Sequence, residues 1–216
     1  EWERNHMMPR EVWNTMGAAG LLLVDMPEEY GSAGASFDVT QLIMWEMSRL
    51  GYAGLATGYN IHANICAPYI LNIGTEEQKA QWLPKMVTGE VVTAIGMTEP
   101  GAGSDLAALR TTAVKDGDEY VINGSKVFIT NGLHADMVIV CAKTDPKAGA
   151  KGISLFLVDT SLPGFSTGKK IEKIGQHSSD TAELFFSDLR VPANALLGEE
   201  GKGFVYLMEE LPRERL

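Results

Sequence analysis

The sequence predicts an α+β fold, with helices first and strands after. Apolar residues recur every three or four positions up to about Gly89, the spacing of a helix face. From Val91 they recur every second position or in short unbroken runs, as strands do. Two dipeptides in the second part, Asp116-Gly117 and Asn123-Gly124, have the chemistry of hairpin turns. The expected division is a helical domain over 1–89, a β-domain over 90–197 and the start of a further helical domain over 198–216.

Taken in order, Pro9 suits the first position of a helix whose face is Val12, Trp13 and Met16, ending near Gly17. Asp38 is the expected cap of the next helix, in which Val39, Leu42, Ile43, Met47 and Leu50 share a face before Gly51. A longer apolar helix is expected over 55–73, kinked at Pro68 and stopped at Gly74. His62 within it reads as a satisfied histidine rather than a ligand. Thr75, with Gln78 three residues on, has the form of a capping box and opens a helix through Trp82 and Leu83 to Gly89. Strands are expected over 91–95, 120–122, 126–130, 137–142, 153–158 and 182–191, with a polar loop over 143–152 and a helix from near Gly203.

Of the 216 residues, 45% are hydrophobic, which suffices for a sizeable core. A net charge of −10 argues against a surface for nucleic acid or anionic lipid, while local N–H groups and a few cations still suit a polyphosphate. Cys66 and Cys141 form no disulfide framework and read as buried thiols in a reducing compartment. The four histidines lack a metal-binding pair on a helix face, so no metal is expected. No apolar run approaches the roughly twenty residues of a membrane span. The chain begins and ends inside helix-like patterns, so it says nothing about targeting segments.

One stretch concentrates unusual chemistry, Gly96-Met97-Thr98-Glu99-Pro100-Gly101-Ala102-Gly103-Ser104-Asp105. Glycines let a ligand approach the main chain, and successive free N–H groups cradle an anion. A dinucleotide fingerprint is excluded because Leu106 stands where its third glycine belongs, and a P-loop because no Gly-Lys-Ser/Thr follows. The string from Met97 to Asp105 resembles the signature of the acyl-CoA dehydrogenases, flavoproteins that oxidise acyl thioesters. The resemblance extends through Pro27-Glu28-Glu29-Tyr30-Gly31, Lys126-Val127-Phe128-Ile129-Thr130-Asn131-Gly132 and Asp180-Thr181-Ala182-Glu183-Leu184-Phe185-Phe186. It ends on Gly201-Lys202-Gly203-Phe204 and Leu211-Pro212-Arg213-Glu214-Arg215-Leu216.

That resemblance implies an antiparallel β-barrel for the second domain and a third, helical domain of which only the first turns lie in this chain. It implies FAD as cofactor. Main chain from Ile95 to Thr98, including Met97, is expected at the polar edge of the flavin ring. Phe128 and Ile129 are expected on the strand beside that ring, with the Thr130 hydroxyl near its N5. Gly103 and Ser104 are expected near the pyrophosphate, and Ser104 also near the acyl-CoA. Lys151, Arg213 and Arg215 are expected substrate-side cations, although solvent exposure explains a lysine such as Lys151 almost as well. Many relatives carry Trp at the Phe128 position, and Phe keeps the flat surface without the indole donor.

Glu214 is the expected catalytic base. Most of the family takes this carboxylate from a later segment, but Glu214-Arg215-Leu216 resembles the long-chain acyl-CoA and isovaleryl-CoA dehydrogenases, which take it from this helix. The implied reaction is α,β-dehydrogenation of an acyl-CoA to a trans-2-enoyl-CoA, with a lean toward longer chains. Electrons would pass to an electron-transfer flavoprotein, and the full-length protein would be a homotetramer. The expected location is the bacterial cytoplasm, ahead of the mitochondrial matrix. Two other readings stand beside this one: an oxygen-reactive relative (acyl-CoA oxidase or flavin monooxygenase) and a non-catalytic flavin-binding relative.

Overall fold

A computed structural model describes residues 1–215. Trp2–Asn5 forms a single helical turn, α1, too short to show a period in the sequence, and α2 covers Glu11–Ala18. Pro9 lies ahead of α2 rather than inside it, and its carbonyl accepts the Val12 N–H. Helix α3, Phe37–Arg49, is preceded by Ser36; Asp38 is therefore not the cap but a first-turn acid that complements the helix dipole.

The expected 55–73 helix runs unbroken from α4 (Ala53–Tyr59) through a π-helical stretch, Asn60–Cys66, into α5 (Ala67–Ile73). The wide stretch ends where the Ala67 N–H reaches the His62 carbonyl, five residues back, just before Pro68. Backbone already displaced from α register there accommodates a proline that has no donor. Both halves of the capping box open α6 (Glu76–Val87): Gln78 N–H donates to Thr75 Oγ1, and Thr75 N–H donates to Gln78 Oε1.

Eight strands follow: β1 Thr93–Gly96, β2 Thr112–Asp116, β3 Glu119–Thr130, β4 Met137–Lys143, β5 Ile153–Asp159, β6 Phe165–Lys170, β7 Thr181–Pro192 and β8 Leu196–Leu197. They form one sheet in the order β6-β7-β3-β2-β4-β5-β8, with β1 added alongside β4. Pairing is mostly antiparallel, but β1 runs parallel to β4, with Thr93 opposite Met137. Side-chain alternation places the two faces of β4 in different cores. Val138, Val140 and Ala142 pack with Phe156, Leu184 and Phe186 inside the curl of the sheet, whereas Met137, Ile139 and Cys141 join the helical core with Ile70 and Leu83.

Asp116-Gly117 does form a hairpin, with Asp116 opposite Glu119. Asn123-Gly124 does not turn. It lies within β3 at a register shift, where Gly124 has φ 148° and an added Cβ would stand 2.5 Å from Thr111 Oγ1. The freedom of a glycine suits a bulge as well as a turn, and β3 continues through it to the site. Helix α7, Gly203–Glu214, then packs across β5 and α5.

Candidate active site

Strand β1 delivers the 97–105 loop to the end of β3. The Val127 N–H donates to the Thr98 carbonyl at 2.9 Å, joining the two segments directly. Beneath them lies a buried ion pair: Lys126 Nζ, with its side chain 0% exposed, is 2.8 Å from Glu99 Oε1 and also donates to the Met97 carbonyl at 3.2 Å. The Glu99 carboxylate further accepts the N–H groups of Arg110 and Thr111. Burial pushes this carboxyl up, and the Lys126 charge and the three donors outweigh it, leaving its pKa below the usual glutamate range. Sequence reading passes over both residues, since Glu and Lys in separate segments read as solvated charges.

Beyond the pair, β3 carries a second register shift, between Lys126 and Ile129. Phe128 sits at this shift with φ 61°, in the left-handed region, and the residue is 64% exposed while Val127 and Ile129 are buried. Thr130, two residues on, is partly exposed. The structure thus holds a large aromatic outward on a strained backbone, beside a hydroxyl and a glycine-rich loop. Among the described residues, no backbone or side-chain acceptor takes the N–H groups of Gly103, Ser104 or Asp105. A flat ring with an anionic tail fits these groups.

A cleft of about 340 Å³ opens between the loop and α7; Met97, Thr98, Gly103 and Ser104 face Leu211, Glu214 and Arg215 across it. The last turn of α7 contains Pro212, and the Arg215 N–H closes onto the Pro212 carbonyl. Glu214 reaches back to α5, where Tyr69 Oη donates to its Oε1 at 2.7 Å. One turn earlier Asn72 Nδ2 donates to Glu210 Oε1 at 2.8 Å, so two carboxylates of α7 are anchored on α5. Burial raises the Glu214 pKa above the ordinary range; the Tyr69 bond and the Arg215 charge oppose the rise, and Glu210 adds to it. Tyr69 and Asn72 give no sequence signal, because their partners lie 145 and 138 positions away.

The remaining expected site residues stand apart from this cleft. Ile95 and Ile129 are buried in the helical and sheet cores respectively. Lys151 borders a separate groove with Lys202 and Phe204. Arg213 pairs with Asp25 and stacks 4.6 Å over the Phe37 ring, tying α7 to the helical layer. Leu216, the last residue of the Glu-Arg-Leu string, lies outside the described residues. His62 is buried with both nitrogens engaged, Nδ1 to Thr93 Oγ1 and Nε2 to the Met86 carbonyl.

Sequence profiles described as "Acyl-CoA dehydrogenase, N-terminal domain" and "Acyl-CoA dehydrogenase, middle domain" match residues 1–90 and 94–189. The chain belongs to the acyl-CoA dehydrogenase family. It is 50% identical to the mitochondrial long-chain specific acyl-CoA dehydrogenase of Mus musculus over 100% of this chain and 50% of that protein. A crystal structure of acyl-CoA dehydrogenase from Geobacillus kaustophilus superposes with a TM-score of 0.96 at 55% identity, covering 99% of this chain and 56% of that one. A Mycobacterium smegmatis glutaryl-CoA dehydrogenase in complex with FADH2 superposes with a TM-score of 0.89 at 33% identity, covering 99% of this chain and 53% of that one. The chain therefore spans about half the length of the curated relative and just over half of each solved structure. No helix among the described residues is long and apolar enough to cross a membrane.

Proposed function

We propose that this chain carries the flavin and thioester half-sites of an FAD-dependent acyl-CoA dehydrogenase, with Glu214 as the base that removes the α-proton. The observation that carries this reading is the raised, half-buried Glu214 carboxyl facing the Met97–Ser104 loop across one cleft. A glutamate of reference pKa near 4.3 is a weak base in water, and burial strengthens it toward working pH. FAD, when bound, supplies the two-electron acceptor for the β-hydride. Glu214 takes the α-hydrogen as a proton, so that the Cα–Cβ double bond forms with charge balanced.

Phe128 offers the flat surface for the ring, Thr130 a hydroxyl at its edge, and main chain at 95–98 hydrogen-bonding groups. Gly103 and Ser104 present free N–H donors to the phosphate chain. Arg215 sits at the mouth of the cleft as a cation for the substrate, while Lys151 is assigned to the distal end of the CoA and Arg213 to holding α7. The product is a trans-2-enoyl-CoA, with an electron-transfer flavoprotein as acceptor, in a cytoplasmic homotetramer. The division at 1–89, 90–197 and 198–216 belongs to the same reading, as does a lean toward longer acyl chains. The FADH2 complex of a relative superposing at TM-score 0.89 supports the choice of cofactor.

The test is anaerobic addition of a saturated acyl-CoA to the purified full-length protein. Bleaching of a bound flavin with enoyl-CoA as product is expected. A protein that stays colourless after incubation with FAD and desalting contradicts the reading. Rapid oxygen consumption without an added acceptor would favour an oxidase instead.

A further inference from the structure

His6, at the end of α1, and Glu172 and His177, in the connection between β6 and β7, bring three ligand atoms to within 4.8 Å of one another. We propose that they form a binding site for a divalent ion of the zinc class, one that ties α1 to the connection between β6 and β7. His6 Nδ1 lies 3.5 Å from His177 Nδ1 and 3.4 Å from Glu172 Oε2. Nitrogen donors held at about 2.0–2.1 Å in a tetrahedron stand roughly 3.3–3.4 Å apart, so both separations match a tetrahedral edge.

The protonation pattern agrees with this geometry. His177 Nε2 lies 3.2 Å from the Ile174 carbonyl, which can only accept, so Nε2 carries the hydrogen and Nδ1 presents a lone pair. A backbone carbonyl behind a histidine in this way fixes the tautomer of a metal ligand. The loop is also anchored independently of any ion. The Glu3 carboxylate accepts the N–H groups of His177 and Ser178, and Lys170 Nζ donates to the His177 carbonyl at 2.8 Å. Lys173 Nζ is engaged by the Ser179 carbonyl and Thr181 Oγ1. Both lysines are therefore turned to other acceptors, and the ion-pair contact of Glu172 among the described residues is His6. His6 closes α1 in the left-handed region at φ 54°, a conformation that brings its ring edge-on to His177 at 4.4 Å between centroids.

Two imidazoles and one carboxylate select zinc-like ions over magnesium or calcium, and a fourth position remains for water. The competing account is a His–His hydrogen bond with no ion. Cobalt(II) separates the two, because its visible d–d absorption reports tetrahedral coordination. Chelator-treated full-length protein titrated with Co²⁺ is expected to bind one equivalent per chain with a tetrahedral spectrum, displaced by Zn²⁺. His6→Ala and His177→Ala are each expected to weaken binding by roughly tenfold or more. Zn²⁺ should raise the Tm of the wild type and not of either variant. Should those variants misfold, Glu172→Gln decides the matter, since that side chain is 79% exposed and its loss perturbs only the coordination. Absence of a tetrahedral equivalent in the wild type, or an affinity unchanged by Glu172→Gln and the histidine replacements, overturns the proposal.

Discussion

The Tyr69 phenol donates to the Glu214 carboxylate at 2.7 Å, linking the middle of one helix to the last turn of another. The bond favours the ionised carboxylate and so partly offsets the rise that burial imposes. Tyr69→Phe removes the donor and should raise the Glu214 pKa further. A carboxylate serves as base only when deprotonated, so the acid limb of the rate of flavin reduction should move to higher pH. The pH profile of that rate measures the shift. An unmoved limb would mean that Glu214 does not control the reaction.

Lys126→Met should destabilise the protein by about 3–5 kcal/mol, because it leaves the Glu99 carboxylate buried without its cation. The loop that Glu99 organises should loosen as well, so flavin retention should fall. Urea unfolding and flavin retained after desalting measure the two effects. A loss below about 1 kcal/mol, within the range of an exposed pair, would show that the pair does not shape the loop.

Phe128→Ala separates a binding role from a core role. A buried phenylalanine such as Phe156 loses about 3–5 kcal/mol on truncation to Ala. Phe128 is 64% exposed, so its truncation should cost the flavin-free protein less than about 1 kcal/mol while weakening flavin binding. Chemical denaturation and flavin titration of the same variant provide the comparison. Equal losses in both would return Phe128 to the core.

His62 makes stability depend on pH. Burial pushes its pKa down to about 4, with the Met86 carbonyl opposing, whereas an unfolded histidine titrates near 6.5. As pH falls through that window the unfolded chain takes up a proton that the native state refuses. Stability should therefore drop by about 3 kcal/mol between pH 6.5 and 4, with the full contribution present only above that window. His62→Gln should flatten this part of the curve. Parallel curves for variant and wild type, read from urea midpoints across pH, would contradict the assignment.

Locally encoded features were legible in the sequence. Thr75 and Gln78 announce their helix because both halves of the box lie within one turn, and α7 shows its start at Gly203. Features that depend on partners elsewhere were not. Asn123-Gly124 has the same chemistry in a bulge as in a turn, and only the packing of Gly124 against Thr111 distinguishes them. Strand β6 has no buried residue and is mostly polar, with two lysines, so it has no apolar stripe to read. The parallel pairing of β1 with β4 is decided some forty positions apart, beyond the reach of any local period. At the site, the loop and Glu214 were legible through a family resemblance. Tyr69 and the Lys126–Glu99 pair were not, since a tyrosine in an apolar helix and a lysine on a strand are ordinary residues until the fold brings their partners to them.

The central claim, that Glu214 is the α-proton base, is tested most directly by Glu214→Gln. The substitution keeps the size and the hydrogen-bonding reach to Tyr69 and removes the basicity. The variant should retain FAD and bind acyl-CoA. In anaerobic stopped-flow, reduction of its flavin by a saturated acyl-CoA should slow by about 10²–10⁴-fold, the usual contribution of a general base. Reduction within a few-fold of wild type would place the base elsewhere.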